Sequence, residues 1–316
     1  MLTLSPLMRP ACLLAWSLLL VLPAYAQPPE AEGGLAIVDL QEAAMEVQPA
    51  QGLVWEISRP DLAHRSFVYA ILYRVPEDFF FLPPGLTPCV AQADRLVMEV
   101  DPTNLDVDYL FRGEAPLDST LDALLPERSY PDFWAFMRDS LSPVATYKLE
   151  SRYAPVLLER QIMGDYCLGY RRHEELVSYE WYLNEAVRKP LKVLNTGWAR
   201  TAWLDSYNYQ EQAHRLRETL DRRATLCESY WALLRAYRAG DLDRVWLLAK
   251  DAPDLGDNMG RFIEARNQAW LKRLAWNLEY ESLFIAVNAV QLPGENGLLH
   301  QLRKAGYTVT PLPYAP

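Results

Sequence analysis

Six short apolar runs, widely separated along the chain, alternate with longer stretches of helical periodicity. Leu53-Val54-Trp55-Glu56-Ile57 opens the ordered sequence, a polar turn follows at Arg59-Pro60-Asp61, and a second apolar run covers Ser66 to Val75. That pattern predicts a β-hairpin. Ala93 to Asp101 (ADRLVMEVD), Lys189 to Thr196, Leu283 to Gln291 and Tyr307 to Leu312 predict four further strands. Between Gln210 and Arg238 the apolar positions Leu216, Leu220, Cys227, Trp231 and Leu234 fall on one helical stripe, and Ile263, Trp270 and Leu274 do the same from Arg261 to Leu278. A turn at Pro293-Gly294-Glu295-Asn296-Gly297 precedes a short helix over Leu298 to Ala305.

The middle, from about Leu117 to Glu185, reads as helical, with Pro126, Pro131, Pro143 and Pro155 at element boundaries. Strands at both ends with helices between them predict an α/β (α+β) fold. Its mixed sheet draws on N- and C-terminal strands, in one domain over 53–316 with a helical insertion at about 112–187.

The start of the chain reads differently. Arg9 precedes an apolar stretch from Ala11 to Leu22, and Ala24-Tyr25-Ala26 has the small-x-small form of a cleavage site. Residues 1–26 are therefore expected to be a secretory signal, too short to span a bilayer comfortably, and the protein to be periplasmic or secreted. Residues 27–52, rich in Pro, Glu, Gly and Ala, predict a flexible arm, with one short helix over Leu35 to Val47. The formal charge is −10, and removal of Arg9 makes it more negative. An acidic surface argues against nucleic acid and anionic lipid as partners. Of Cys89, Cys167 and Cys227, any two could bridge in an oxidising compartment, or all three could stay thiols.

Candidate chemistry lies where polar residues interrupt apolar elements. Alternation along ADRLVMEVD sets Glu99 on the face of Val97 and Asp101, which predicts a half-buried carboxylate in need of a partner. On the helix from Arg261, the face of Ile263, Trp270 and Leu274 also carries Arg266 and Asn267, so Arg266 is the natural partner of Glu99. Asn195 ends the strand from Lys189, Asn288 and Gln291 end the strand from Leu283, and Tyr73 lies at the mouth of the strand from Ser66. Singly, each is compatible with an ion pair, a cap or a turn. Together they predict one pocket beyond the carboxyl ends of the strands.

The stretches LVWEISRPDLAHRSFVYAILYRV, LPPGLTPCVAQADRLVMEVD, RFIEARNQAWLKRL and LFIAVNAVQLPGENGLLHQLRKAGYTVTPL resemble the TraB/GumN/TIKI group over about Leu53 to Leu312. That resemblance implies an exported or membrane-associated metal-dependent hydrolase fold, some members acting as peptidases. It also implies a site with two Gly-x-x-His motifs on two strands, glutamates, and an Arg-Asn pair. Carried over position by position, Glu99, Arg266 and Asn267 match. Ala70 and Tyr73 stand in place of the first Gly and His, Asn288 and Gln291 in place of the second, and Asn195 in place of an acid. The family implies a divalent metal, but its histidine ligands are missing, so no metal ligand and no cofactor is expected. His64, His173, His214 and His300 share no ligand spacing and are expected at the surface.

The expectation is a pseudoenzyme that binds a peptide or a small polar ligand through Tyr73, Asn195, Asn267, Asn288 and Gln291. The alternative is a working metal-dependent hydrolase with a rewired site, with Glu99 or Asp101 as general base and Arg266 stabilising an oxyanion. A scaffold role, including glycan stacking on the 10 Trp, 18 Tyr and 9 Phe, is a third.

Overall fold

The computed structural model describes residues 46–104, 120–195, 208–250 and 259–314. The expected signal and nearly all of the expected arm, including the expected helix from Leu35 as far as Met45, lie outside the described residues, as does Thr196, and Glu46 and Val47, at that helix's expected end, are not helical. The end of the arm is anchored: Ala50 is buried, Gln51 pairs with Asp241, and the Gly52 N–H donates to the Gly240 carbonyl at 2.8 Å.

Strands β1 (Val54–Ser58) and β2 (Ser66–Ile71) form the predicted hairpin. The apolar run then breaks at Tyr73, and β3 (Arg74–Val75) leaves to pair with β5 (Val177–Ser178) in a separate two-stranded ribbon. Helix α1 (Leu86–Gln92) leads into β4 (Arg95–Met98). The middle is helical as expected: α2 (Leu121–Leu124), α3 (Pro131–Asp139), α4 (Pro143–Glu150), α5 (Pro155–Leu168), α6 (Tyr170–Glu174) and α7 (Tyr179–Ala186). After β6 (Leu191–Val193) come α8 (Tyr209–Asp221), α9 (Arg223–Arg238), α10 (Leu242–Lys250) and α11 (Met259–Tyr280). The stripe over Gln210 to Arg238 is thus two helices with a break at Arg222. Strand β7 (Leu283–Asn288), α12 (Leu298–Lys304) and β8 (Thr308–Pro311) complete the described chain.

The large sheet runs β6-β4-β7-β2-β1-β8. Its four strands β6, β4, β7 and β2 are parallel, while β1 and β8 are antiparallel to their neighbours. The sheet is mixed, and β7, from far along the chain, lies between β2 and β4. Every residue of β2 and β7 is buried, because helices cover both faces of the parallel part. This explains why LFIAV is an unbroken apolar run rather than an alternating one. Leu274 and Leu278 of α11, Leu234 and Tyr237 of α9, and Tyr179 and Leu183 of α7 pack in the core with these strands. The Tyr237 hydroxyl donates to the Ala70 carbonyl at 2.9 Å and pins the end of β2.

A second core belongs to the helices, built from Leu121, Leu125, Phe133, Met137, Ala145, Leu158, Ile162, Leu216 and Leu220. Beside it runs a polar network. The Lys148 ammonium donates to Gln161 Oε1 at 2.7 Å, Asp165 Oδ1 bonds His173 Nδ1 at 2.7 Å, and the Ser142 hydroxyl donates to Asp165 Oδ2. Gly164 is required here: a Cβ at that position would sit 2.3 Å from the His173 ring.

Candidate functional site

Glu99 lies one residue beyond β4, at the edge where β2, β7 and β6 also end. Parallel strands bring their carboxyl ends to one edge, so Tyr73, Asn288 and Asn195 arrive beside it from three other strands. The expected half-buried carboxylate is in fact fully buried. The helices cover both faces of β4, so period-two alternation marks two buried faces rather than one.

Both carboxylate oxygens accept hydrogen bonds. Glu99 Oε1 accepts the Asn288 backbone N–H at 2.7 Å. Oε2 accepts the Tyr73 hydroxyl at 2.7 Å and Arg266 Nη1 at 3.2 Å. The Glu99–Arg266 pairing expected from the α11 stripe is therefore present, as a buried ion pair. Burial, and then the neighbouring Glu99 charge, push the Tyr73 phenol well above its ordinary pKa of 10, with Arg266 pulling the other way. Tyr73 is a neutral donor at physiological pH.

The guanidinium of Arg266 lies over the Trp270 ring, 5.5 Å from its centroid, and Trp270 Nε1 donates to Asn195 Oδ1 at 2.8 Å. The Asn195 backbone N–H donates in turn to the Glu99 carbonyl at 2.8 Å. Asn267 secures the turn that follows β7: its Nδ2 donates to the carbonyls of Gln291 at 2.9 Å and Asn296 at 2.8 Å. Asn288 Oδ1 accepts the Val290 N–H at 3.1 Å and caps a short 3₁₀ turn, Ala289–Gln291. Gln291, expected on the strand, rides on that turn.

Tyr73, Glu99, Asn195, Arg266 and Asn288 thus share one hydrogen-bonded cluster, and Asn267 and Gln291 meet beside it, next along α11 and on the turn after Asn288. Three buried polar atoms of these residues have no hydrogen-bond partner among the described residues: Asn195 Nδ2, Asn267 Oδ1 and Gln291 Oε1. One is a donor and two are acceptors. Buried polar groups are seldom left so, and a ligand or an ordered water would satisfy them.

Asp101, the second candidate base, accepts from Thr103 N at 2.8 Å and Thr103 Oγ1 at 2.6 Å in the turn after β4. The histidines depart from expectation. His173 and His300 are buried rather than at the surface, His173 because Asp165 and Gly164 hold its ring inside the helical region and His300 because α12 packs against the sheet. His64 and His214 are half-buried, and His64 Nε2 bonds the Leu278 carbonyl at 2.9 Å. Two residues of the cluster escaped sequence reasoning. Trp270 reads as plain core because of its stripe position. Glu180, buried and with its charge acting on the Tyr73 hydroxyl, reads as an ordinary first-turn acid of a helix capped by Ser178.

Among the described residues no three His, Cys, Asp or Glu side chains gather as a metal ion would need, and no helix is long and apolar enough to cross a membrane. No curated protein and no solved structure matches the chain. The sequence model of the TraB/PrgY/gumN family matches residues 53–311, from the residue before β1 to the last residue of β8 and through every member of the cluster around Glu99. The chain belongs to the TraB/PrgY/gumN family.

Proposed function

We propose that this chain is an exported family member that has given up metal-dependent hydrolysis and binds a peptide or small polar ligand at the strand ends. The observation that carries this reading is the company Glu99 keeps. Its carboxylate is fully buried, ion-paired with Arg266 and hydrogen-bonded by Tyr73 and the Asn288 N–H, so that three of its roughly four acceptor sites are taken by the chain's own donors. The donor set around it does not fit a divalent ion. A neutral phenol and amides stand where imidazole nitrogens would be needed, and a cation beside Glu99 would have to displace the Arg266 guanidinium.

What remains suits hydrogen bonding to a neutral polar group. An amide offers both a donor and an acceptor, matching the Asn195 donor and the Asn267 and Gln291 acceptors. Arg266 on Trp270 gives that corner a stiff wall.

The test pairs metal with turnover. Purified protein is titrated calorimetrically with manganese, cobalt and zinc and assayed on a peptide library, beside Glu99→Gln. We expect no stoichiometric tight metal and no cleavage. Peptide hydrolysis that Glu99→Gln abolishes would instead establish the rewired hydrolase, with Glu99 as base and Arg266 as the oxyanion partner. Ligand binding is read by a thermal-shift screen of peptides and amides, in which hits weaken about tenfold on Gln291→Leu, the loss of one buried hydrogen bond.

A further inference from the structure

The two edges of the large sheet are finished differently. At β8 the Leu312 N–H donates to the Val54 carbonyl at 2.8 Å, so Thr308 and Thr310 also turn their backbone to β1, and Val309 and Pro311 face outward. The Val309 carbonyl accepts Arg303 Nη2 at 2.9 Å and Pro311 has no N–H, which leaves little for another strand to grip. At β6 the Pro190 carbonyl accepts the Leu96 N–H at 3.1 Å, and the Leu194 N–H donates to the Met98 carbonyl at 2.9 Å. With Leu96 opposite Leu191 and Met98 opposite Val193, residues 190, 192 and 194 turn to β4. The N–H and C=O groups of Leu191 and Val193 therefore point away from the sheet. None of them has a backbone partner among the described residues, and Val193 is exposed.

The surroundings of that open edge are apolar and cationic. Lys192 donates to Asn277 Oδ1 and Arg273 Nη1 to the Leu194 carbonyl, which fastens α11 along β6. Trp276 and Tyr280 follow Arg273 at i+3 and i+7 on one stripe of the helix. They are 67% and 66% exposed, with ring centroids 4.7 Å apart, an apolar pair of the kind that marks an interaction surface. Lys189 bonds the Ala91 carbonyl at 3.1 Å. Lys189, Lys192 and Arg273 thus all meet neutral oxygens, and none forms an ion pair among the described residues. On a chain of net charge −10 they make a local cationic strip. Two copies of that strip repel one another, whereas an acidic segment is attracted to it.

We propose that an extended acidic peptide segment of a partner protein adds to β6 as a seventh strand of the sheet. Its backbone bonds the outward N–H and C=O groups of Leu191 and Val193. Its acidic side chains lie on the α11 face, beside Lys192 and Arg273 and along the Trp276–Tyr280 pair. The alternate side chains lie on the face of Val193 and are apolar. The edge is outside the Glu99 cluster, so the proposal stands whether or not the pocket there takes a ligand.

A short fluorescein-labelled peptide of alternating Glu and Val is titrated with the full chain and read by anisotropy. We expect saturable binding that weakens as salt rises, and none by the same peptide with Lys in place of Glu. Only alternate N–H groups of an added strand face β6. Two isomers N-methylated on opposite alternate sets should therefore differ, one losing about tenfold or more and the other binding as the parent does. Val193→Pro deletes an outward N–H and no bond to β4, and should abolish binding while keeping the melting temperature. Trp276→Ala should weaken binding about three- to tenfold. Absence of binding, equal losses from both N-methylated isomers, or undiminished binding by Val193→Pro overturns the proposal, and the isomers decide it if Val193→Pro fails to fold. A chain that sediments as a dimer and becomes a monomer on Val193→Pro also overturns it, since a second copy then holds the edge.

Discussion

Two buried polar clusters in this protein are built in opposite ways. Around Glu99, the partners come from 26, 167 and 189 residues away, out of the β2–β3 bend, α11 and the end of β7. Around Asp165, the partners Gln161, His173 and Ser142 lie within 4, 8 and 23 residues. The second can form wherever α4, α5 and α6 fold together. The first exists only once the sheet has closed with β7 between β2 and β4. Loop-closure entropy must be met before such distant contacts form, so the strand-end cluster reports on the whole fold and the helical cluster on one region of it.

The largest effect expected from breaking either cluster is at Arg266. Arg266→Leu leaves the Glu99 carboxylate buried without its cation, and should destabilise the protein by about 3–5 kcal/mol in urea unfolding. Amide exchange should rise across the sheet and the helices together. Tyr73→Phe removes one of the three donors to the same carboxylate and should cost about 1.5–3 kcal/mol, read in the same assay.

On the helical side, Gly164→Ala forces a methyl into the His173 ring, which Asp165 holds in place. Overpacking of about 1–3 kcal/mol should outweigh or cancel the roughly 1 kcal/mol that alanine gains over glycine in a helix. The resulting rise in amide exchange should stay within α4 to α6. Exchange that spreads at once to β7 would mean the two regions unfold as a unit, and the contrast between them would fail.

The gentlest probe is alkaline pH. Burial raises the phenols of Tyr69 and Tyr237 well above 10, so both stay protonated in the folded protein while an unfolded chain ionises them. Above pH 10 the unfolded state binds fewer protons than the folded one, and stability falls. Each tyrosine contributes about 1.4 kcal/mol per pH unit at most, present in full below pH 10 and lost as pH rises toward the folded values. Tyr237→Phe should flatten the slope between pH 10 and 11, measured by urea unfolding at each pH.

Much of the strand-end cluster was legible before any coordinates. An apolar strand that ends in Glu99, and a helix stripe that includes Arg266 and Asn267, violate their own patterns, and such violations signal burial with a partner. The Asp165 cluster left no comparable mark. Polar residues on helices are ordinary, and nothing in Arg-Arg-His-Glu-Glu distinguishes a buried His173 from a solvated one. Glu180 was hidden by the same rule, since an acid in the first turn of a helix has a sufficient local reason to be there.

Local pattern determined the hairpin, the helical middle, the apolar runs of β2 and β7 and the residues that gather at their ends, because periodicity and burial are properties of neighbouring side chains. Tertiary structure alone decided the strand order, the complete burial of Glu99 against Arg266, and the enclosure of His173 and His300. Each of those depends on which surfaces face one another across tens to hundreds of residues, and a linear pattern carries no record of that.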